Sequence, residues 1–419
     1  MAYDGPASAA RRSRCLLEIG EIGPRVRYWR ERRGLTRQHF GDLMGRSPSW
    51  VDKIEKGDRQ LDRLSVLELI AQTLSVPLHV LLDEDEFRLR SQCVDSAEVA
   101  AIRGVLQRYE PSINPSPPRD RQVEPAQLQR QVTYAWLAFQ ASDYATLGPI
   151  LAGLLVDAQK GSTELPGSQR TVAESLLAQT YQIIASTVRK LGHFDIEWIA
   201  ADRGIRVAEQ TGDPVLFGGA AFRLVNAFDD NNGGRAAVNM ARRAADRLSD
   251  GPESSPTTSL YGHLLLQGAM CAATSGDASS VRELLNEAAR VAVRLGADRN
   301  DCYTAFGPTN VLIHEVAAMV ELREWGPATD AAARIDPARL GALPKERRAN
   351  HLLDVARAHS LGGRRDEALA YLLEADALAP REIRCRPIAV DLIADLLRRA
   401  RSRPSADLLR LAARAGIPA

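Results

Sequence analysis

Positively charged side chains are concentrated near the N-terminus of this 419-residue chain, whose formal net charge is only +1. Between Gly20 and Gln60 the sequence contains ten Arg and Lys residues and six Asp and Glu residues, a local net charge of +4. Three more arginines, Arg11, Arg12 and Arg14, come just before this stretch. Because Lys and Arg bind the phosphates of nucleic acids, a basic end on a neutral chain indicates a separate nucleic-acid-binding domain. The alternative is an ordinary solvated basic surface.

A second group of side chains with binding chemistry lies in the segment NDCYTAFGPTNVLIH, from Asn300 to His314. Around its Gly-Pro break stand Tyr303, Phe306, Asn310 and His314. Aromatic rings beside an amide and an imidazole suit a peptide backbone or a polar metabolite. An irregular turn filled by its own aromatic rings explains the same residues and is the alternative. Further candidates for the same site are Arg223, Asn226 and Tyr261.

Catalytic and metal-binding patterns are absent from the sequence. It has no glycine-rich phosphate loop joined to strands, no nucleophile elbow, no HExxH and no kinase signature. Cysteines at positions 15, 93, 271, 302 and 385 form no CxxC pair and have no His at ligand spacing. No apolar run is long enough to span a bilayer. We therefore predict a cytoplasmic protein with reduced thiols that is not an enzyme and uses no metal, cofactor or membrane.

The segment Leu35–Gly57, LTRQHFGDLMGRSPSWVDKIEKG, has the pattern of two short amphipathic helices. Its apolar residues, which form one buried stripe on each helix, are Phe40, Leu43, Met44, Val51 and Ile54. Gly45 suits the left-handed end of the first helix, Ser47 the N-cap of the second and Pro48 its first position. Two helices joined by such a tight turn form a helix-turn-helix, and an ordinary helical hairpin is the alternative.

The ordered pattern from Thr36 to Gly57 resembles the helix-turn-helix of the phage Cro and repressor proteins, known as the XRE type. The matching residues are Phe40, Gly41, Met44, Gly45, Ser47, Val51, Ile54, Glu55 and Gly57. The resemblance covers about Ile22 to Leu82 and implies an all-α domain of five helices. Gly41 matches because a small residue in the first helix of the motif lets the second helix cross it closely.

The resemblance implies that the second helix of the motif enters the major groove of DNA, where its first residues meet base edges. The residues at those positions are Pro48, Ser49, Asp52 and Lys53. Lys53 could donate to guanine and Asp52 could accept from cytosine, whereas Pro48 offers only apolar contact. At the positions that contact the DNA backbone stand Arg37, Trp50, Lys56, Arg59 and Arg63. The alternatives are solvated side chains and, for Trp50, packing against the preceding helix.

Within the first helix, at about Pro24 to Arg33, Val26 and Trp29 are expected to face inward. The arginines at positions 25, 27, 30 and 32 are expected on its solvent side. The resemblance implies a structural role for Glu55, which would pair with Arg30 or Arg33.

From residue 123 onward the sequence is rich in Ala, Leu and Arg and shows no strand-like alternation. Its clearest unit, His351–Pro380, places small Ala356 where two helices would cross and a Gly362-Gly363 turn between them. This unit resembles a tetratricopeptide repeat, although the turns recur at roughly 40 to 50 residues rather than about 34. Weaker copies are anchored at Ser142-Asp143-Tyr144, Gly192-His193-Phe194, Gly233-Gly234 and Gly276-Asp277. We predict a tetratricopeptide-like α-solenoid of about six helical hairpins with a concave ligand face.

The predicted organisation is a flexible basic arm at 1–19, a helix-turn-helix domain at 20–83, a connector helix with a proline-rich linker at 84–122, and a helical-repeat domain at 123–419. This combination resembles actinobacterial XRE regulators with tetratricopeptide-like bodies and, more distantly, the peptide-sensing quorum-sensing regulators of Gram-positive bacteria. It implies a sequence-specific transcriptional regulator that binds a pseudo-palindromic operator as a homodimer and senses a peptide or small molecule. The other hypothesis is a protein-interaction scaffold whose repeats recruit a partner while the N-terminal domain tethers it weakly to DNA.

Overall fold

The computed structural model describes residues 22–61, 63–84, 87, 91, 93–108, 122–231, 233–400 and 403–417. Over these residues the protein has 22 α-helices, one short 3-10 helix and no strand, which confirms the all-α fold. Two compact units divide the chain, Met1–Ala100 and Ala101–Ala419, so the division falls within the helix Ser96–Leu106. The predicted arm at 1–19 and the linker prolines at 111, 115, 117 and 118 lie outside the described residues.

The N-terminal part, residues 22–84, is called the head. Its five helices are α1 Ile22–Arg32, α2 Arg37–Met44, α3 Pro48–Glu55, α4 Leu64–Thr73 and α5 Leu78–Leu82. Among the side chains that fill its core, Val26, Trp29, Phe40 and Ile70 are completely buried. The order and number of helices are those that the resemblance implied, and the core forms from the predicted apolar stripes, although Leu43 is exposed.

The boundaries of α2 and α3 follow from local capping. Thr36 Oγ1 accepts from the backbone N–H of His39 and so begins α2, while Gly45 ends it with a φ of 62°. Ser47 Oγ accepts from the backbone N–H of Trp50 at 3.2 Å, and Pro48 occupies the first position of α3. The predicted helix-turn-helix boundaries are therefore confirmed.

The arginines of α1 correct one expectation, because Arg25 and Arg30 are buried rather than solvated. Arg25 Nη1 donates to the carbonyl oxygen of Leu81 at 3.0 Å. Arg32 Nε and Nη2 donate to the two carboxylate oxygens of Glu98 at 2.6 and 2.9 Å, in the first turn of α6, Ser96–Leu106. Guanidinium groups can be buried where their donors find acceptors, and helix periodicity does not indicate those acceptors.

The body of the protein is an array of six helical hairpins, as predicted. The hairpins are α7–α8 (Pro125–Gln140 and Tyr144–Glu164), α9–α10 (Gly167–Lys190 and Phe194–Thr211), α11–α12 (Pro214–Asp230 and Gly234–Ser249), α13–α14 (Ser255–Thr274 and Ala278–Leu295), α15–α16 (Pro308–Glu321 and Trp325–Ala333) and α18–α19 (Lys345–Leu361 and Arg365–Leu378). The remaining elements are the 3-10 helix Asp301–Tyr303, α17 Pro337–Ala342, α20 Pro380–Arg384, α21 Pro387–Arg398 and α22 Ala406–Arg414.

Each predicted turn lies between the two helices of one hairpin. In the clearest repeat, Ala356, Ala368 and Leu372 are completely buried, which is the packing expected of small and large residues where paired helices cross. The turn of the fifth hairpin, Leu322-Arg323-Glu324, was not predicted, because it contains neither glycine nor the Ser-Asp pair that marks the first turn. There Arg323 adopts the left-handed conformation, with a φ of 62°.

The array winds back so that its first hairpins contact its last helices. The buried carboxylate of Glu382, on α20, accepts from Ser142 Oγ at 3.1 Å and from Lys190 Nζ at 2.9 Å. The side-chain amides of Gln140 and Asn300 also bond to each other in both directions at 2.9 Å. As a result, the first helices of all six hairpins surround one internal cavity.

Among the described residues, no helix is sufficiently long and apolar to cross a membrane. In the same residues, no group of three or more His, Cys, Asp and Glu side chains could hold a metal ion. Cys271 and Cys302 are free thiols. Cys93 and Cys385 each take part in a disulfide bond, so the prediction of reduced thiols is wrong for these two residues.

Candidate nucleic-acid interface and effector cavity

Helix α3 turns one face into the head and another face to solvent. Val51 and Ile54 are buried in the core. Ser49 and Lys53 are exposed and lie one helical turn apart on the opposite side, while Pro48 is half-buried at the start of the helix. A hydroxyl and an ammonium group on one exposed side of a helix can donate to base edges in the major groove.

Asp52, the fourth predicted base-contact residue, is already bonded within the head. Its carboxylate accepts from Lys56 Nζ at 2.7 Å and lies 3.3 Å from Arg37 Nη1. The hydrogen bond from Lys56 lowers the pKa of Asp52, and so keeps the carboxylate ionised. Lys53 has no carboxylate partner among the described residues, so it is the cation of α3 that is most available to DNA.

Glu55 connects α3 to the two helices before it. Its Oε1 lies 2.5 Å from Arg30 Nε of α1, and its Oε2 accepts from Arg37 Nε of α2 at 2.9 Å. The predicted structural role of Glu55 is therefore confirmed with Arg30, whereas Arg33 pairs with Asp95 at 2.7 Å. The hydrogen bond to Glu55 raises the pKa of Arg37. The Arg37 side chain is 40% exposed, so it positions α3 while its outer part remains accessible.

Three further cations lie around α3, and the helix itself carries one aromatic ring. Trp50 is only 9% exposed and belongs to the core, as in the packing alternative rather than a wedge against DNA. Arg46, in the turn before α3, stacks over the Trp50 ring at 5.7 Å and is exposed. Arg59 and Arg63 are exposed after α3 and have no carboxylate partner among the described residues. Arg46 was not predicted, although it stands next to the cap residue Ser47.

Two glycines allow α3 to approach its neighbours. A Cβ atom on Gly41 would lie 2.7 Å from the carbonyl oxygen of Arg46, which explains the small residue that the resemblance required. A Cβ atom on Gly23 of α1 would lie 2.2 Å from the carbonyl oxygen of Ile54. Gly23 was not predicted, because its neighbour is distant in sequence.

The internal cavity of the array has a volume of about 340 Å³. Four of the seven residues predicted for an effector pocket line it, namely Arg223, Asn226, Tyr303 and His314. The first helix of each hairpin contributes to its wall, so residues far apart in sequence meet there. This arrangement provides the concave surface that the solenoid prediction implied.

The other three predicted pocket residues do not line the cavity. Phe306 is completely buried in the core, where a Cβ atom on Gly262 would overlap its ring. Tyr261 bonds through its hydroxyl to Glu287 of α14, so it faces the second helix of its hairpin. Asn310 is completely buried, and its amide nitrogen donates to the backbone near the 3-10 helix. The alternative of a turn filled by its own side chains describes Phe306 correctly.

Six side chains form a continuous row, here called the ring row, and five of them line the cavity, the exception being Trp136. In order they are Tyr303, Trp136, Arg223, Phe222, His263 and His314. Neighbouring members lie 4.3 to 5.8 Å apart, measured between ring centroids or from the guanidinium carbon to a centroid. Trp136, Phe222 and His263 were not predicted, because nothing in their local sequence indicates that these helices converge.

Burial shapes the electrostatics of this row. Burial lowers the pKa of Arg223 to about 9 and that of His314 to about 3, and it holds the pKa of His263 well below its usual value. Asn226 Oδ1 and His263 Nδ1 are buried and have no hydrogen-bond partner among the residues that the structure describes. The cavity therefore presents neutral imidazoles, a buried guanidinium and polar atoms that a ligand could satisfy.

Comparison with known proteins identifies the head. Residues 21–84 match the family described as a helix-turn-helix domain. A similar solved structure is the crystal structure of Bacillus thuringiensis PlcR in complex with the peptide PapR7 and DNA. It is 12% identical, with 82% of this chain and 98% of that chain covered and a TM-score of 0.33. No curated protein matches the sequence. The chain thus carries an N-terminal helix-turn-helix domain followed by a helical-repeat body.

Proposed function

We propose that the protein is a sequence-specific DNA-binding transcriptional regulator in which α3 lies in the major groove. The observation that carries this proposal is the exposed side of α3, where Ser49 and Lys53 point to solvent within a helix-turn-helix domain. Lys53 donates to a guanine and Ser49 hydrogen-bonds a neighbouring base edge. Pro48 contributes apolar contact at the start of the helix. A regulator of this kind acts on DNA in the cytoplasm.

The cations around α3 position it on the DNA backbone. Arg46, Arg59 and Arg63 are exposed and without carboxylate partners among the described residues, which leaves their full charge for phosphates. Arg37 and Lys56 contact phosphates with the parts of their side chains that their carboxylate partners leave exposed. Such contacts raise the affinity for all sequences alike.

The regulator acts as a homodimer on a pseudo-palindromic operator. One head covers only half of a site, and two heads bind adjacent half-sites about one helical turn apart. The array supplies the dimer surface in this proposal. Exposed Tyr134 and Leu137, one turn apart on α7, are apolar side chains of the type found in subunit interfaces.

The cavity of the array serves as the effector site, where a peptide or a small molecule binds. Two features support this role. The cavity has the size of a ligand pocket, and it contains the unpartnered polar atoms of Asn226 and His263. Effector binding there would bias the array between conformations and so change how two heads engage the operator.

The experiment that tests the proposal compares variants on a site selected from random duplex DNA and on a scrambled duplex. Lys53→Ala is expected to lose about 1 to 3 kcal/mol on the selected site and little on the scrambled one, because it removes a base contact. Arg59→Ala is expected to weaken both equally and to lower the salt slope by about one. Glu68→Ala, at an exposed position on α4, serves as the control. Equal losses of Lys53→Ala on both duplexes would refute base reading by α3.

A further inference from the structure

The acidic side chains that line the cavity already have hydrogen-bond or ion-pair partners in the protein. They are Asp229, Asp230, Glu321, Glu346 and Asp354. Each carboxylate contacts another side chain at 2.5 to 3.1 Å: Asp229 accepts from Thr274, Asp230 pairs with Arg189, Glu346 pairs with Lys190, and both Glu321 and Asp354 pair with Arg357. Although burial opposes ionisation, the charges of Lys190 and Arg347 lower the pKa of Glu346 to about 2. Four of the five acids therefore already pair with a basic side chain, and the fifth, Asp229, accepts from the hydroxyl of Thr274.

Two of the basic side chains that line the cavity, Arg223 and Arg347, have no carboxylate within 3.1 Å among the described residues. Arg223 is 4% exposed and donates only to Ser186 Oγ at 3.2 Å and to the carbonyl oxygen of Gly219 at 2.9 Å. The Nε atom of Arg347 has no hydrogen-bond partner in the described part of the chain, and the carboxylate of Glu346 is 3.9 Å away from it. Among the described residues, Arg223 pairs with no carboxylate at all.

Both guanidinium groups line the cavity. Arg223 has no carboxylate partner among the described residues, and the carboxylate beside Arg347 is 3.9 Å away and is shared with Lys190, so the two groups together can bind an anion. A buried cation is unfavourable unless it is paired, and the positive charge of Arg347 adds to the burial that lowers the pKa of Arg223. Guanidinium groups bind carboxylates and phosphates through paired, charge-assisted hydrogen bonds, which are stronger than neutral ones. An anion from outside the protein would supply the charge that the cavity lacks.

The remainder of the cavity indicates the rest of the ligand. Phe222, whose ring lies 4.5 Å from the guanidinium carbon of Arg223, and Tyr303 add two aromatic rings to the lining of the cavity. Asn226, 6% exposed, and His263, 2% exposed, each present one unpartnered polar atom. A volume of about 340 Å³ lies near the lower end of the range for small-molecule pockets, which favours a compact ligand over an extended peptide.

We propose that the effector is a small organic anion, whose acidic group lies between Arg223 and Arg347 while its apolar ring packs on Phe222 and Tyr303. This inference rests on the proposed effector-sensing function and names the ligand class for that site. The acidic group is a carboxylate or a phosphate, because both match the guanidinium geometry.

The test is calorimetric titration of the full chain with three probes of similar shape: sodium benzoate, phenyl phosphate and neutral benzamide. At least one anion is expected to bind about tenfold or more tightly than benzamide, since hydrogen bonds to charged groups contribute more than neutral ones. The tighter of the two anions identifies the acidic group. Arg347→Gln and Arg223→Gln are each expected to weaken anion binding by about tenfold or more. Arg282→Gln, at an exposed position on α14, should leave it unchanged.

Arg347→Gln is the variant less liable to misfold, because the Arg347 side chain is partly exposed whereas Arg223 is buried. Far-UV circular dichroism verifies that each variant keeps its helices. The proposal is overturned if neither anion binds, if benzamide binds as tightly, or if both arginine variants bind the anions as the unmodified protein does. A failure of the anion titration would overturn only the proposed ligand class and would leave the DNA-binding result with Lys53→Ala unaffected. A failure of the DNA-binding test would overturn the proposed regulator function, whether or not the anions bind.

Discussion

The orientation of α3 depends on one residue, Glu55. It is buried between Arg30 and Arg37, so each of the first three helices contributes one member to the cluster. A buried ion pair is weak evidence of net stabilisation, because removing both charges from water is expensive. Losing one partner is different, since it leaves an uncompensated charge in the core.

We therefore expect Glu55→Ala to destabilise the head by about 3 to 5 kcal/mol, because it leaves Arg30 buried without its carboxylate. Hydrogen exchange of the full chain measures this locally, as faster exchange of amides in α1, α2 and α3. In the control variant Glu68→Ala, at an exposed site on α4, the amide hydrogens of α1, α2 and α3 should exchange at the same rates as in the unmodified protein. Unchanged protection in Glu55→Ala would mean that the apolar core alone orients α3.

The buried histidines make the array sensitive to acid. Folding lowers the pKa of His314 to about 3 through burial, and the nearby charge of Arg347 acts in the same direction. His263 shifts the same way, through burial and then through Arg347, His314 and Arg223. The unfolded chain, with a histidine pKa of about 6.5, binds protons that the folded chain does not. Stability is therefore lost as pH falls below about 6.5.

We expect His314→Asn to reduce this acid sensitivity by about 1.4 kcal/mol per pH unit below pH 6.5, since it removes one group that titrates only in the unfolded state. Asparagine can keep the hydrogen bond that Nδ1 makes with the carbonyl oxygen of Asn310. Urea unfolding at several pH values, followed by far-UV circular dichroism, gives the slope. The same slope in both proteins would show that His314 is protonated in the folded array.

At the residue scale, the exposed side of α3 could be predicted and the ring row could not. Ser49 and Lys53 follow from the helical period once Val51 and Ile54 are known to be buried. The ring row joins side chains from separate hairpins, with Trp136 and His314 far apart in sequence. Only the packing of the whole array brings such residues together, so Phe306 was wrongly predicted to face a ligand.

At the scale of the element, the close approach of α1 to α3 depends on one missing side chain. The Cα atom of Gly23 faces the carbonyl oxygen of Ile54, and a Cβ atom there would lie 2.2 Å from that oxygen. The obstacle is backbone rather than a flexible side chain. The two helices would have to separate to accept any other residue.

We expect Gly23→Ala to destabilise the head by about 1 to 3 kcal/mol and to weaken binding to the selected DNA site, because α3 shifts relative to α1. The matched control is Gly104→Ala on α6, where a Cβ atom has no neighbour within 4 Å. That substitution should stabilise slightly, by up to about 1 kcal/mol, through better helix propensity. Hydrogen exchange and DNA titration measure both variants. Equal effects of the two alanines would contradict the close approach of α1 and α3.

Hairpins could be predicted where their turns contain glycine or, in the first hairpin, a Ser-Asp pair. Gly192, Gly276 and Gly363 adopt the left-handed conformation that ends a helix, and each was recognised from sequence. The segment before α15 could not be predicted in the same way. There Cys302, Tyr303 and Ala305 have positive φ values although none is glycine, so long-range packing rather than local preference holds them.

At the scale of the whole molecule, two compact units separate the two proposed tasks. The first unit carries the exposed cations around α3, while the second encloses the cavity. Closure of the array through Glu382 and Lys190 was not predictable, because it joins residues 192 positions apart. Repeat patterns indicate only neighbouring contacts, so a solenoid that closes on itself is a property of the complete chain.

The most direct measurement of the central claim is site-specific photo-crosslinking of the full chain to the selected DNA site. A benzophenone amino acid replaces Ser49 on α3 or, as the control, Glu68 on α4; both positions are exposed. With α3 in the major groove, the position-49 probe should crosslink to bases within each half-site, and the position-68 probe should not. No crosslink from position 49, or equal crosslinking from both positions, would contradict the reading of DNA by α3.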